Sequence, residues 1–190
     1  MSSLTLEVLA EKLKEWKGCP LSASANPVLG EGNPAARVVF IGEAPGQKED
    51  ELGRPFVGPA GQFLDELLES ICLKREDVYI SNVVKYRPPG NREPSDEEKQ
   101  QCLPWIMLEI AVIRPKVIVP LGRHALAQFF PSLSIGKVHG LPRMLRVGES
   151  GETITIFPMY HPAAALHAGG LRKVLEEDFQ KLGKLLEKNV

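Results

Sequence analysis

Three polar residues at distant positions carry side chains suited to recognition and acid–base chemistry: Glu43, Asn82 and His161. An asparagine amide offers two donors and an acceptor, the complement of the imide or amide edge of a planar base. A histidine can donate to a developing negative charge, and a carboxylate can orient water or stabilise positive charge. Each also has an ordinary interpretation, as a turn residue, a structural histidine or a solvated carboxylate. Their significance therefore depends on whether the fold brings them together.

Short apolar segments typical of buried strands precede or contain these residues. The four predicted strands are residues 37–41, 78–84, 117–121 and 153–157. Segments with helical spacing separate them, which predicts a mostly parallel sheet with helices on both faces. Ligands bind beyond the carboxyl ends of the strands in such sheets, and Glu43, Asn82 and His161 all lie at such ends. Their convergence at one edge predicts a site.

The helices follow from apolar spacing and end signals. Leu6 to Trp16 forms an amphipathic first helix, which Gly18 and Pro20 end. Ser95 and Glu98 have capping-box spacing and begin a helix that we expect Pro104 to bend. The predicted core face of that helix is Cys102, Leu103, Ile106, Met107, Ile110 and Ile113. Further helices are predicted around residues 63–71, 124–130 and 171–186.

Composition indicates a soluble, single-domain protein spanning residues 1–190. Hydrophobic residues make up 43% and charged residues 25% of the chain, and no apolar run approaches a membrane span. The amino terminus lacks the basic start and apolar core of a secretory signal, so a cytoplasmic location is expected. Cys19, Cys72 and Cys102 are an odd number of cysteines, which argues against a disulfide framework.

The net charge of -1 conceals an uneven distribution. Residues 1–109 hold 12 Lys/Arg against 18 Asp/Glu, whereas residues 110–190 hold 11 against 6. No acid occurs between Ile110 and Gly148, and the basic residues there are Arg114, Lys116, Arg123, Lys137, Arg143 and Arg146. A second acid-free stretch, residues 82–92, carries three more. Such a distribution suits a phosphate-facing surface, and an ordinary solvated basic surface is the alternative.

The glycine-rich loop after the first strand does not fit a nucleotide-binding loop. Gly42-Glu43-Ala44-Pro45-Gly46 lacks the Lys-Ser/Thr pair of a P-loop, and its proline and carboxylate would oppose a pyrophosphate.

Several separate motifs, in order, resemble those of family 4 uracil-DNA glycosylases. They are Gly42-Glu43-Ala44-Pro45-Gly46 with Glu49-Asp50, Gly53-Arg54-Pro55-Phe56-Val57-Gly58, Asn82-Val83-Val84-Lys85, Arg87-Pro88-Pro89-Gly90-Asn91-Arg92 and Tyr160-His161-Pro162-Ala163. The resemblance runs from about Cys19 to the His161 motif. It implies a three-layer α/β/α sandwich around a four-stranded parallel sheet. The implied activity is hydrolysis of the N-glycosidic bond of deoxyuridine in DNA, leaving an abasic site for base excision repair.

The resemblance also implies roles for individual residues. Phe56 would stack on a flipped uracil, and Asn82 would bind its polar edge. Gly42, Glu43, Ala44 and Pro45 would line the pocket around the attacking water, and His161 would hydrogen-bond the departing base. Bond breaking leaves negative charge on the base and positive charge on the sugar, so a donor and a carboxylate both favour the transition state.

Contacts to DNA outside the pocket are also predicted. Leu166, five residues after His161, is placed to fill the gap left by the flipped base, with a core contact as the alternative. The candidate phosphate contacts are Lys85, Arg87, Arg92, Lys137 and Arg172. The expected partner is uracil-containing DNA, single- or double-stranded, bound by a monomer without any membrane association.

The chain departs from the family at its iron-sulfur ligands. Members hold a cluster with four cysteines, of which Cys19 and Cys102 remain, while Trp16 and Tyr86 occupy the other two positions. Neither an indole nor a neutral phenol replaces a thiolate, so we expect no cluster, no metal and no other cofactor. The two aromatic residues are large enough to fill the vacated space. A zinc site on the two cysteines and a histidine has only weak support.

The sequence leaves several alternatives to simple uracil excision. A related branch bonds covalently to the abasic sugar through a histidine in a Lys-Arg-Arg-Ile-His loop. The matching stretch, Lys137-Val138-His139-Gly140-Leu141, has leucine at that position, so ordinary turnover is expected. The alternatives are a glycosylase for another deaminated base, a non-catalytic module that binds damaged DNA, and a nucleotide-binding protein unrelated to DNA. A nucleotide-binding protein unrelated to DNA would leave the uneven charge distribution along the chain unexplained.

Overall fold

A computed structural model describes residues 4–147 and 151–188 of the chain. Met1-Ser2-Ser3, used in predicting the absence of an export signal, and Gly148, the end of the acid-free segment, lie outside these residues.

The fold is built on a mixed sheet with helices on both faces, which confirms the predicted α/β sandwich. Its strands are β1 (Glu31–Gly32), β2 (Val38–Gly42), β3 (Tyr79–Asn82), β4 (Val117–Pro120), β5 (Arg143–Val147) and β6 (Glu152–Ile156), in the order β1-β3-β2-β4-β6-β5. The four central strands, β3, β2, β4 and β6, are parallel, as predicted. The sheet has six strands rather than four because β1 and β5 pair antiparallel at its two edges.

The added edge strands lack the buried apolar pattern that marks the central ones. β1 is only two residues long, and all five residues of β5 are at least partly exposed. By contrast, every residue of β2, β3 and β4 is buried. Periodicity detects strands through burial, so it found the central strands and missed the edges.

Eight α-helices surround the sheet in the described part of the chain. They are α1 (Leu6–Glu15), α2 (Gln47–Leu52), α3 (Pro59–Glu69), α4 (Asp96–Ile113), α5 (Gly122–Ala127), α6 (Ile135–Val138), α7 (Pro162–His167) and α8 (Gly169–Lys188). Short 3₁₀ turns occupy Pro20–Ala23, Arg75–Asp77 and Pro89–Asn91. Within residues 4–147 and 151–188, no helix combines the length and apolar character needed to cross a bilayer.

Alternating side chains of β2 divide the core between the two faces. Val38 and Phe40 join the apolar cluster that contains residues of α3 and α8, and Phe40 stacks on Phe179 with ring centroids 5.8 Å apart. Val39 and Ile41 face the other cluster, which contains residues of α4. Burial of β2 on both faces fixes where it ends, and hence where the loop after it begins.

Helix α4 starts as predicted, and most of its predicted core face is buried: Cys102, Ile106 and Ile113 fully, Leu103 and Ile110 in part. The Ser95 hydroxyl accepts from the backbone N–H of Glu98 at 3.2 Å, and the helix runs through Pro104. Met107, predicted as core, is 37% exposed, whereas Trp105 and Glu109 are buried. Trp105 packs on Trp16 near the amino terminus, and Glu109 takes part in an internal ion pair. Neither partner was visible from helical spacing.

Candidate active site

The carboxyl ends of the parallel strands bring the three predicted polar residues to one edge. Gly42 at the end of β2 lies in register with Asn82 at the end of β3. The chain continues this pairing beyond the strands, because the N–H of Val84 donates to the carbonyl of Glu43 at 2.9 Å. His161 follows the bridge between Leu121 and Met159 and caps the amino end of α7. Local strand pairing therefore assembles the site predicted from sequence.

These residues share a cavity of about 390 Å³. Its lining is Glu43, Ala44, Pro45, Gly46, Glu49, Phe56, Ala60, Asn82, Pro88, Asn91, Arg92, His161 and Ala163. Gly42 lies behind this lining, where a Cβ atom would come within 2.4 Å of Asn82 Oδ1 and 2.6 Å of the Phe56 ring. Glycine at position 42 thus lets the amide and the aromatic ring approach each other.

Asn82 presents an unsatisfied acceptor in this cavity. The residue is 2% exposed, and among the described residues its Oδ1 atom has no hydrogen-bond partner. Leaving a buried acceptor unpaired costs about 1–3 kcal/mol. A ligand N–H that donates to Oδ1 would recover that free energy.

His161 is held in one tautomer and kept neutral. Its Nδ1 accepts the backbone N–H of Ala163 at 3.1 Å, so the neutral ring carries its proton on Nε2. Burial lowers the pKa of His161 to about 4, although the negative charge of Glu49 acts in the opposite direction. At neutral pH the site therefore offers a neutral N–H donor.

Phe56 is fixed in a strained backbone conformation beside His161. Its φ angle is 52°, in the left-handed region, and the Arg75 guanidinium holds the loop by donating to the Phe56 carbonyl at 3.0 Å and to the Pro55 carbonyl. The Phe56 and His161 rings are stacked with centroids 5.5 Å apart and planes 25° apart. A Cβ at Gly61 would lie 1.8 Å from the Phe56 carbonyl oxygen, so glycine is required there.

The Glu43 carboxylate lies at the mouth of the cavity with charged neighbours. Burial raises the pKa of Glu43; a protonated His124 opposes that rise, and the negative charge of Glu93 adds to it. A carboxyl group with a raised pKa is better matched to accepting a proton near neutral pH than an ordinary one.

Glu49 has a structural role in the site that sequence reasoning did not assign. Its carboxylate accepts from the backbone N–H groups of Gly46 at 3.1 Å, Val57 at 2.8 Å and Gly58 at 2.8 Å. It therefore ties the loop after β2 to the loop that carries Phe56. The signal available in the sequence was its position three residues after Gly46, which is capping-box spacing.

The remaining predicted DNA contacts occupy different environments, and one of them, Arg92, also lines the cavity. Lys137 and Arg92 are exposed, Arg87 is half-buried, and Leu166 is 45% exposed near the end of α7. Arg92 also forms a two-point ion pair with Glu98 at 2.6 and 2.8 Å. Arg172 lies 4.5 Å over the Phe63 ring and pairs with Glu66 and Glu176. The exposure of Leu166 disfavours its alternative interpretation as a core contact.

The prediction that Lys85 contacts phosphate is wrong. Its side chain is fully buried, and its ammonium group donates to the Ser81 hydroxyl, the Asn82 carbonyl and the Glu109 carboxylate at 2.7, 2.9 and 2.8 Å. The charge is thus neutralised inside the protein, directly behind the strand end that carries Asn82.

The acid-free segment is not a single surface. Arg114 and Lys116 precede β4 and so lie at the amino ends of the parallel strands, opposite the cavity. Arg143 and Arg146 lie on the edge strand β5. The charge count along the chain could not separate these positions, because it carries no information about which end of a strand a residue occupies.

An aromatic cluster occupies the region of the expected iron-sulfur ligands. The Trp16 ring stacks on Tyr86 at 5.9 Å between centroids and meets Trp105 edge-on at 5.5 Å. Tyr86 is fully buried, and its hydroxyl donates to the Trp16 carbonyl at 2.7 Å. These side chains pack α1 against the Tyr86 loop and α4, as expected from their size.

The donors in this region do not fit an iron-sulfur cluster. Cys19 and Cys102 are both buried in one apolar cluster, and burial raises the pKa of Cys102 to about 12. Tyr86 offers a phenol in place of a thiol, and its hydroxyl is already used in donating to the Trp16 carbonyl. Cluster binding needs thiolates. In the described part of the chain, no group of three or more His, Cys, Asp or Glu side chains is arranged to hold a metal.

The fold and the cavity define an α/β protein whose ligand site lies at the carboxyl ends of parallel strands. The model of the uracil DNA glycosylase superfamily matches residues 29–183, and the chain belongs to that family.

Several curated relatives are type-4 uracil-DNA glycosylases. The protein from Sulfurisphaera tokodaii is 45% identical over 95% of this chain and 84% of its own length. The protein from Archaeoglobus fulgidus is 44% identical over 97% of this chain and 94% of its own length. The protein from Thermotoga maritima is 43% identical over 96% and 95% of the two chains.

Proposed function

We propose that this protein is a uracil-DNA glycosylase that hydrolyses the N-glycosidic bond of deoxyuridine in DNA and leaves an abasic site. The observation that carries the proposal is the unpaired Oδ1 of Asn82 in the same cavity as His161, Glu43 and Phe56. Uracil has an N–H between two carbonyls, so an amide can accept from the N–H and donate to a carbonyl. Similarity to type-4 uracil-DNA glycosylases over nearly the whole chain supports the same activity.

The residues act on the two charges that bond breaking creates. When the bond between the sugar C1′ and the base N1 breaks, the electron pair leaves on uracil. Neutral His161 donates from Nε2 to the carbonyl oxygen where that charge collects, without needing to give up its proton. The Glu43 carboxylate stabilises the positive sugar and accepts a proton from the water that attacks C1′.

Phe56 provides the surface on which the extruded base stacks, and its locked conformation limits the entropy lost on binding. Leu166 enters the stack where the base has left. The phosphates of the DNA are contacted by Arg87, Arg92, Lys137 and Arg172. On binding, Arg92 and Arg172 leave their carboxylate partners and pair with phosphates instead. Action as a monomer in the cytoplasm, on single- or double-stranded DNA, belongs to the same proposal.

The test is excision from an oligonucleotide with a single deoxyuridine, followed by alkaline cleavage. We expect strand cleavage by wild type, with losses of about 100-fold or more in Asn82→Ala and His161→Ala. Asn33→Ala, which removes an amide from an exposed turn, is the matched control and should retain activity. Cleavage only of oligonucleotides with hypoxanthine or xanthine would identify a different deaminated base. Binding without cleavage of any of them would indicate a non-catalytic module.

The activity is proposed to need no iron-sulfur cluster, because Trp16 and Tyr86 fill the ligand region. Protein purified without oxygen should contain no stoichiometric iron and no absorption band near 400 nm while excising uracil. Iron at one cluster per chain would contradict this part of the proposal and leave the glycosylase activity intact.

A further inference from the structure

His124 lies beside the carboxylate of Glu43, which is proposed to be catalytic, on the short helix α5. It is in the first turn of α5, which follows β4 at the same sheet edge as the cavity. Its Nε2 atom is 3.8 Å from Oε2 of Glu43 and 3.5 Å from Oε2 of Glu93. The imidazole therefore lies between a carboxylate at the cavity and one at the surface.

The side chains of His124, Glu43 and Glu93 differ in solvent exposure. The His124 side chain is 17% exposed, Glu43 is 29% exposed and Glu93 is 63% exposed. Arg123 joins the cluster by donating from Nε to His124 Nε2 at 3.0 Å and by pairing with Glu93. In this arrangement Nε2 accepts from Arg123, as the neutral ring does. A protonated ring gives up this hydrogen bond and turns the Nε2 proton toward the carboxylates of Glu43 and Glu93.

We propose that His124 is a positioning residue that sets the ionisation of Glu43, with Glu93 as its counter-charge. The inference rests on the proposed glycosylase activity and on Glu43 as the residue that accepts the water proton. A protonated His124 favours the carboxylate form of Glu43, whereas the like charge of Glu93 disfavours it. The pair therefore determines the pH below which Glu43 can no longer accept a proton.

Other charges near Glu43 act in the background and stay in place in the test. Lys99 and Arg123 lower the pKa of Glu43, and Glu49, Arg92 and His161 line the same cavity. Asp96 faces His124 from the start of α4. These groups are common to every variant below, so the comparison isolates His124 and Glu93.

The experiment is the pH dependence of single-turnover uracil excision between pH 4.5 and 9, at saturating enzyme, by wild type, His124→Gln and Glu93→Gln. Loss of the His124 charge should move the midpoint of the acid limb upward, by about one pH unit. Loss of Glu93 should move it downward. Glu97→Gln, which removes an exposed carboxylate four residues after Glu93, is the matched control and should keep the wild-type midpoint.

The outcomes separate this inference from the function on which it rests. His124→Lys, which restores a positive charge, should return the midpoint toward the wild-type value. Residual excision by Glu43→Gln should lack the acid limb, which assigns the limb to Glu43. If the role of His124 were purely structural, His124→Gln would lower the rate equally at every pH. If the enzyme is active but the midpoints of His124→Gln and Glu93→Gln do not move, this inference is overturned while the proposed function stands. A wild-type protein that does not excise uracil would overturn the proposed function and this inference with it.

Discussion

His161 shows how one hydrogen bond determines what a side chain can do. Because Ala163 donates to Nδ1, the neutral ring has a single donor, Nε2, which is the atom proposed to bind the departing base. Burial makes that neutral form the favoured one, with a pKa of about 4 against the usual value near 6.5. A neutral donor can stabilise an anion without protonating it, which suits a leaving group that departs as an anion.

The same burial predicts a pH-dependent stability. Between pH 6.5 and about 4 the unfolded chain binds a proton at His161 that the folded protein does not, so stability falls as the pH falls through this window. Thermal midpoints measured at pH 7 and pH 5 should therefore drop more for wild type than for His161→Gln. His167→Gln, at an exposed histidine in α7, is the control and should keep the wild-type dependence. Equal drops in wild type and His161→Gln would contradict the prediction.

At the scale of secondary-structure elements, the buried ion pair of Lys85 and Glu109 supports the end of β3. Glu109 on α4 accepts from Lys85, from the Ser81 hydroxyl and from the backbone N–H of Gly30. Lys85 in turn donates to the carbonyl of Asn82. This network connects α4, β3 and the loop before β1, and it holds the backbone of the residue proposed to bind uracil.

Breaking one side of this ion pair should cost far more than removing both. Lys85→Met or Glu109→Leu leaves an uncompensated charge in the interior, and each should destabilise the protein by about 3–5 kcal/mol. The double variant should be destabilised by much less than the sum of the two. Urea denaturation of the four proteins measures this coupling. Additive losses would mean that the two charges do not stabilise each other.

These elements also show what sequence could and could not predict. Strand ends were predictable because β2, β3 and β4 are buried throughout, and buried strands leave a clear apolar pattern. Pairing of parallel strands then brought Glu43 and Asn82 together, as inferred. The role of Lys85 was not predictable, because its partner Glu109 lies 24 residues away, at a charged position of α4 that apolar spacing does not mark as buried.

The aromatic cluster gives a related lesson. The resemblance placed Trp16 and Tyr86 at two cluster-ligand positions, and their sizes then predicted that they would fill the vacated space. Trp105 as a third member was not predicted, because it depends on how α4 is rotated against α1. The resemblance to family 4 thus identified the two residues, while the packing of one helix on another determined their full set of neighbours.

At the scale of the whole molecule, the cations are divided between the two ends of the sheet. Lys137 is exposed on α6, in the region that joins β4 and α5 to the strands leading to His161. Lys116 is exposed directly before β4, at the opposite end. DNA held at the cavity would meet the first of these lysines and not the second, although both belong to the same acid-free stretch of sequence.

This division predicts the salt dependence of DNA binding. Each phosphate contact contributes about 0.9 to the slope of log K against log salt concentration for a duplex. Lys137→Ala should weaken binding to a uracil-containing duplex and reduce that slope by about one contact, with little change in the excision rate of bound substrate. Lys116→Ala, the matched control, should change neither quantity, as anisotropy titrations at several salt concentrations would measure. Equal effects of the two substitutions would mean that DNA contacts extend around the molecule, and that the amino ends of the strands belong to the binding surface as well.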